Sequence, residues 1–159
     1  MDMAKFEIRL NRILEVFLVI LVSVLVVDVL WQVFSRYLLS SPSSFTDELA
    51  GFLLIWVGVL GAAYVAGRKE HLAIDILVQR SPPLRQRRLQ FIIYALILLF
   101  ALFVMVIGGA SLVYTRFVLD VKSAALQLPL GYVYIVLPLS GLIIIYYEIL
   151  HILHLSKSV

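Results

Sequence analysis

The chain has 159 residues, 63% of them hydrophobic and 14% charged, whereas a water-soluble domain averages about a quarter charged; this is the composition of an integral membrane protein. With no cysteine it can build no disulfide framework, thiolate metal site or cysteine nucleophile. The net charge of +3 and a pI near 9.3 do not indicate nucleic acid, because the basic residues sit at helix ends, where membrane topology explains them.

Residues 1–12 are polar and weakly amphipathic, with Lys5, Arg9 and Arg12 on one face and Phe6, Leu10 and Ile13 beside them. That pattern predicts a short helix lying in the interface. The apolar run from Ile13 to about Phe34 is too long for the apolar core of a signal peptide, and no small-residue cleavage site follows it. It reads as a retained first span.

The second span opens on a helix-start signal. Pro42 and Ser44 precede Asp47 and Glu48, acids in a first turn where backbone N–H groups and the helix dipole favour them. The uncharged run Leu49–Gly67, at about 1.5 Å per residue, makes a rod of about 29 Å, close to the hydrocarbon thickness of a bilayer. Arg68 and Lys69 stop it. Ala50, Gly58, Ala62 and Ala66 recur at multiples of four with Gly61 beside them, a stripe of small residues of the kind that lets helices approach closely in lipid. Trp56 lies on the opposite side, near mid-membrane. Either face could pack on the chain's own helices or on another protein.

From Lys69 to Arg88 the chain is too polar to span and too apolar for plain loop. An amphipathic interfacial helix is predicted there, broken by Ser81-Pro82-Pro83. His71 and Asp75, at i and i+4, share a face as a structural pair and make a poor metal site. Arg85, Arg87 and Arg88 would face anionic lipid headgroups. The third span is predicted over about 89–113, with Gly108 and Gly109 inside it. The fourth runs over about 129–153, from Pro129 at its first turn, with a Pro138 kink expected near Gly141. One four-helix domain over 1–159 accounts for the whole length.

Orientation follows from Lys and Arg near the span ends. Lys5, Arg9, Arg12, Arg68, Lys69, Arg80, Arg85, Arg87, Arg88 and Lys157 fall on one side, and Arg36, Arg116 and Lys122 on the other. That asymmetry predicts both termini in the cytoplasm.

Asp28 is the carboxylate set well inside an apolar run. Placement at a helix centre costs about 2.5–3.5 kcal/mol on insertion scales, so it needs a partner. Gln32, Ser35 and Arg36 extend a polar stripe beyond it. Three readings stand: a bond within the bundle, a contact with a second membrane protein, or a coupling-ion site. His151 and His154 near the end of the fourth span read as interfacial, and Glu148 with Tyr146-Tyr147 as end anchors. None is placed to hold a membrane haem. No phosphate loop, G-x-S-x-G elbow or H-E-x-x-H is present, so no catalytic residue, cofactor or metal is expected.

The ordered set of features resembles a known family, the small membrane subunit (DctQ type) of tripartite ATP-independent periplasmic (TRAP) transporters. Arg36-Tyr37 stands after the first span, and Glu48 at the acidic start of the second. Trp56 and Gly61-Ala62-Ala63 lie in its apolar run, followed by Arg68 and by His71 to Asp75. Ser123, Ala124, Leu126, Pro129, Tyr132, Pro138 and Gly141 complete the pattern. The resemblance covers about Gln32 to Gly141 and assigns no role to Asp28.

It implies one component of three. A periplasmic binding protein would deliver an organic anion, and a large sodium-coupled membrane subunit, expected as a separate chain, would move it. The small subunit would brace the large one in a bacterial or archaeal inner membrane. Contact with that partner is expected from Asp28, Gln32, Arg36, Glu48, Trp56, Gly58, Gly61 and Ala62. Two other functions compete: a self-contained small transporter coupled through Asp28, and a membrane anchor for a redox enzyme.

Overall fold

The computed structural model describes residues 3–38, 44–68 and 82–157. It is helical, and among the described residues there is no strand, only an isolated antiparallel bridge between Lys122 and Pro129. Helix α1 runs Met3–Tyr37, α2 Ser44–Arg68 and α3 Pro83–Phe100. A π-helical segment, Ala101–Gly108, joins α3 to α4 (Gly109–Val118). A short α5 (Leu130–Tyr134) leads into α6 (Val136–Lys157). Four helical stretches are long and apolar enough to cross a membrane: Phe6–Tyr37, Ser44–Arg68, Arg88–Val118 and Leu130–Leu155. The protein is therefore a multi-pass membrane protein.

Three sequence expectations are corrected here. From Met3 onward the first helix has no separate interfacial segment, because no glycine or proline interrupts Met3–Tyr37 and the basic first turns simply continue into the apolar run. The interruption of the last span falls at Ile135, not near Gly141. Pro138 has no N–H to give the carbonyl of Tyr134, so the ladder fails on the N-terminal side of the proline. Pro129 stands just before the first helical residue of α5, as its N-cap. The predicted interfacial helix, with His71 and Asp75, lies outside the described residues.

The chain forms two compact units, Met1–Gly61 with Leu112–Val136, and Ala62–Ser111 with Leu137–Val159. In the first, α1 turns a narrow line inward. Leu14, Asp28 and Ser35, at spacings of fourteen and seven, are buried, while Val19, Val22, Val26, Val29 and Val33 are exposed. This is the one-stripe contact expected of a helix that meets a neighbour along a single seam. From α2 come the buried Thr46, Ala50 and Leu60, and from the later segment Ser123, Val133 and Val136. Phe117 lies over Gly131, where an added Cβ would come within 2.5 Å of its ring, and meets Tyr132 edge to face at 5.1 Å.

The second unit is held by close backbone approaches of the kind small residues permit in lipid. Gly109 lies against Leu137 and Pro138, with 3.0 Å from its would-be Cβ to each. Gly141 lies against Met105 and the carbonyl of Ala101, and Gly67 against the ring of Tyr147. The π-helical turn thus carries its buried Ala101 and Met105 on the surface that receives Gly141.

Candidate interface for a partner subunit

The most heavily bonded polar group at the start of α2 is Glu48. Its Oε1 accepts the backbone N–H of Ala124 at 2.7 Å and its Oε2 that of Leu126 at 2.9 Å. A carboxylate has no donor of its own when ionised and is suited to gathering two amides at once. The loop it gathers is tightly built. Ser123 N–H donates to Leu128 O and Leu130 N–H to Val121 O, both at 2.9 Å. Ser123 Oγ accepts from Leu128 N–H at 3.2 Å. Asp120 and Gln127 take positive φ values of 44° and 55°; Asp tolerates that region better than most residues, and Gln127 Nε2 donates to Ala124 O at 2.9 Å within the same turn. Glu48 is therefore used inside this chain, fixing the loop between α4 and α5.

Trp56 is also engaged internally. Its indole N–H donates to Val133 O at 3.0 Å, and its ring lies 6.2 Å from that of Phe17. Val133 belongs to α5, just ahead of the break at Ile135, where carbonyls begin to lose helical donors. Trp56 so ties α1, α2 and α5 together within the first unit.

The opposite side of α2 is open. An added Cβ at Gly51, Gly58 or Gly61 would meet nothing within 4 Å, and Leu54 among them is 57% exposed. Gly58 and Ala62 are exposed, whereas Ala50 and Ala66 are buried. The small-residue stripe expected at every fourth position is thus split by helical drift between a covered face and an open one. Gly51, Leu54, Gly58 and Gly61, at alternate spacings of three and four, line one side of α2.

On α1, Asp28 is 7% exposed and its Oδ2 has no hydrogen-bond partner among the described residues. Gln32 Nε2 donates to Asp47 Oδ1 across the α1–α2 hairpin, and Ser35 Oγ donates to Gln32 O at 3.0 Å. Arg36 is exposed at the end of α1. Arg85 and Arg88 are exposed on α3; the side chain of Arg87 lies outside the described residues.

The second unit holds a polar pair made of Glu148, expected as an end anchor, and His151, expected to be interfacial. Glu148 is fully buried and His151 is 4% exposed, with His151 Nδ1 3.9 Å from Glu148 Oε2. Tyr147 is fully buried too, and the Tyr94 ring stands 5.4 Å from that of His151. The E-x-x-H spacing was the available signal, because i and i+3 share a helix face. His154, three residues on, is exposed. Among the described residues no three His, Asp or Glu side chains come together as metal ligands.

Residues 25–158 match the family described as tripartite ATP-independent periplasmic transporters, DctQ component. The chain is 31% identical over 83 residues to a TRAP transporter small permease protein of Haemophilus influenzae (strain ATCC 51907 / DSM 11121 / KW20 / Rd), covering 52% of each chain. It is 29% identical over 82 residues to the sialic acid TRAP transporter small permease protein SiaQ of Vibrio cholerae serotype O1, covering 52% of this chain and 47% of SiaQ. A stretch of 51 residues, 32% of the chain, is 37% identical to 8% of the sialic acid TRAP transporter permease protein SiaT of Haemophilus influenzae (strain 86-028NP). The aligned region spans about half the length of the two small permease proteins.

Proposed function

The chain belongs to the DctQ component family of tripartite ATP-independent periplasmic transporters, and from that premise we propose that it braces a separate large permease subunit within the membrane. The large subunit carries out sodium-coupled uptake of an organic anion, a carboxylate, delivered by a periplasmic binding protein. The membrane is the bacterial or archaeal inner membrane, and the basic residues at the span ends support cytoplasmic termini. The observation that carries the reading is the uncovered glycine face of α2. With Gly51, Gly58 and Gly61 open and Leu54 projecting between them, this face offers the close backbone approach on which helix association in lipid depends.

Gly58, Gly61 and Ala62 then meet the large subunit directly, with Arg36 at the periplasmic edge. Asp28, Gln32, Glu48 and Trp56 support that surface from within. Arg85 and Arg88, with Arg87 beside them in sequence, face lipid headgroups. Because the chain lacks cysteine, single cysteines give an unambiguous test. Leu54→Cys should crosslink to the large subunit in native membranes with a short bifunctional reagent, and Leu60→Cys, at a position 2% exposed, should not. Equal crosslinking at both positions, or none at Leu54→Cys, contradicts the assignment.

A further inference from the structure

Asp28 has a buried oxygen with no hydrogen-bond partner among the described residues, and Gln32, one turn along the same helix, bonds a second carboxylate, Asp47. Asp28 is 7% exposed, and its Oδ2 makes no hydrogen bond among the described residues. Gln32 gives its amide N–H to Asp47 Oδ1 at the first turn of α2. Lys122 pairs with Asp120, and His151 stands against Glu148, so neither of these cations is paired with Asp28. Arg116 lies over the ring of Tyr134, and Arg36 is exposed. An unpaired buried carboxylate is costly enough that a counter-charge must accompany it, or a proton must neutralise it.

The three side chains supply only oxygen ligands once the Gln32 N–H is committed: Asp28 Oδ2, the second oxygen of Asp47 and the amide oxygen of Gln32. Oxygen donors suit hard cations. Asp47 is exposed and sits at the positive end of α2, so water and the helix dipole meet much of its charge. One unit of charge is left to balance at Asp28, which points to a monovalent ion. The descent from exposed Asp47 past half-buried Gln32 to buried Asp28 also gives the ion a way in. We propose that Asp28, Gln32 and Asp47 hold a small monovalent cation that pins α1 to the start of α2. The ion is structural, and the proposal stands apart from the assignment of a partner to the glycine face.

The test is the thermal unfolding of the purified full chain in an uncharged detergent, at fixed pH and ionic strength. Lithium, sodium and potassium chloride are compared with choline chloride. Saturating the site should raise the midpoint by about 3–6 °C with at least one of the three small cations, and choline should not. Asp28→Asn should abolish the rise, and Glu148→Gln, in the other unit, should keep it. Asp47→Asn should raise the half-saturating salt concentration at least about fivefold; that variant, with the wild-type response, decides the matter if Asp28→Asn does not fold. Equal midpoints in all four salts overturn the proposal, as does an unaltered response in either Asp variant. A midpoint that rises only as pH falls, with no difference between the salts, makes the occupant a proton. An absence of response in the isolated chain with a gain on adding a partner protein makes it a cationic side chain of that partner, and overturns the proposal equally.

Discussion

Replacing Gly51 and Gly58 together with leucine is expected to lower recovery of the large subunit with the tagged chain by at least about tenfold, while the chain's own melting midpoint moves little. Nothing lies within 4 Å of an added Cβ at either position, so the isolated chain has room for both side chains. Leucine is also a better helix former than glycine by up to about 1 kcal/mol. A partner helix that has come close over glycine does not have that room. Overpacking costs about 1–3 kcal/mol per site, and about 1.4 kcal/mol is already a factor of ten in association. Co-purification from mild detergent, with a melt of the chain alone as control, reads both quantities. Undiminished recovery would move the interface to another face.

The reverse outcome is expected at Gly141. Its would-be Cβ lies 2.8 Å from Met105 Cβ, 2.9 Å from Val106 Cγ2 and 3.2 Å from the carbonyl oxygen of Ala101. The last of these is backbone in a π-helical turn and cannot swing aside as a long side chain can. Gly141→Leu should destabilise the chain by about 2–3 kcal/mol or more, a fall of about 5–10 °C in melting midpoint for a chain of this size. The same substitution at Gly58 should leave the midpoint within about 2 °C. A Gly141→Leu chain that melts with the wild type would mean that the π-helical turn and α6 do not meet as described.

These two glycines mark the limit of what could be read from the sequence. The four spans were legible because an uncharged run of about twenty residues has few alternatives once its backbone must satisfy itself in lipid. The acidic opening of α2 was legible for the same local reason. The spacing of small residues shows where close packing is possible but not who supplies the neighbour. Gly109, Gly131 and Gly141 are covered by their own chain, while Gly51, Gly58 and Gly61 are open.

Long-range bonds were beyond periodicity altogether. Glu48 meets Ala124 across 76 residues and Trp56 meets Val133 across 77. Periodicity places both near the expected partner face and carries neither of these bonds. The effect of Pro138 was anticipated, but its place was not, because a proline removes the bond to the residue four before it and so acts on the preceding turn. By position Glu148 reads as an end-of-span anchor and His151 as interfacial. The Tyr94 ring beside His151 comes from another helix, which sequence spacing does not carry.

The central claim is that these four spans serve a larger membrane protein. It is tested most directly by purifying the tagged chain from its native membrane in mild detergent and weighing the intact complex by native mass spectrometry. The account predicts one copy of this chain with one copy of a much larger multispanning permease of the TRAP type. A stable species made of this chain alone, with no such permease in the eluate, would contradict it.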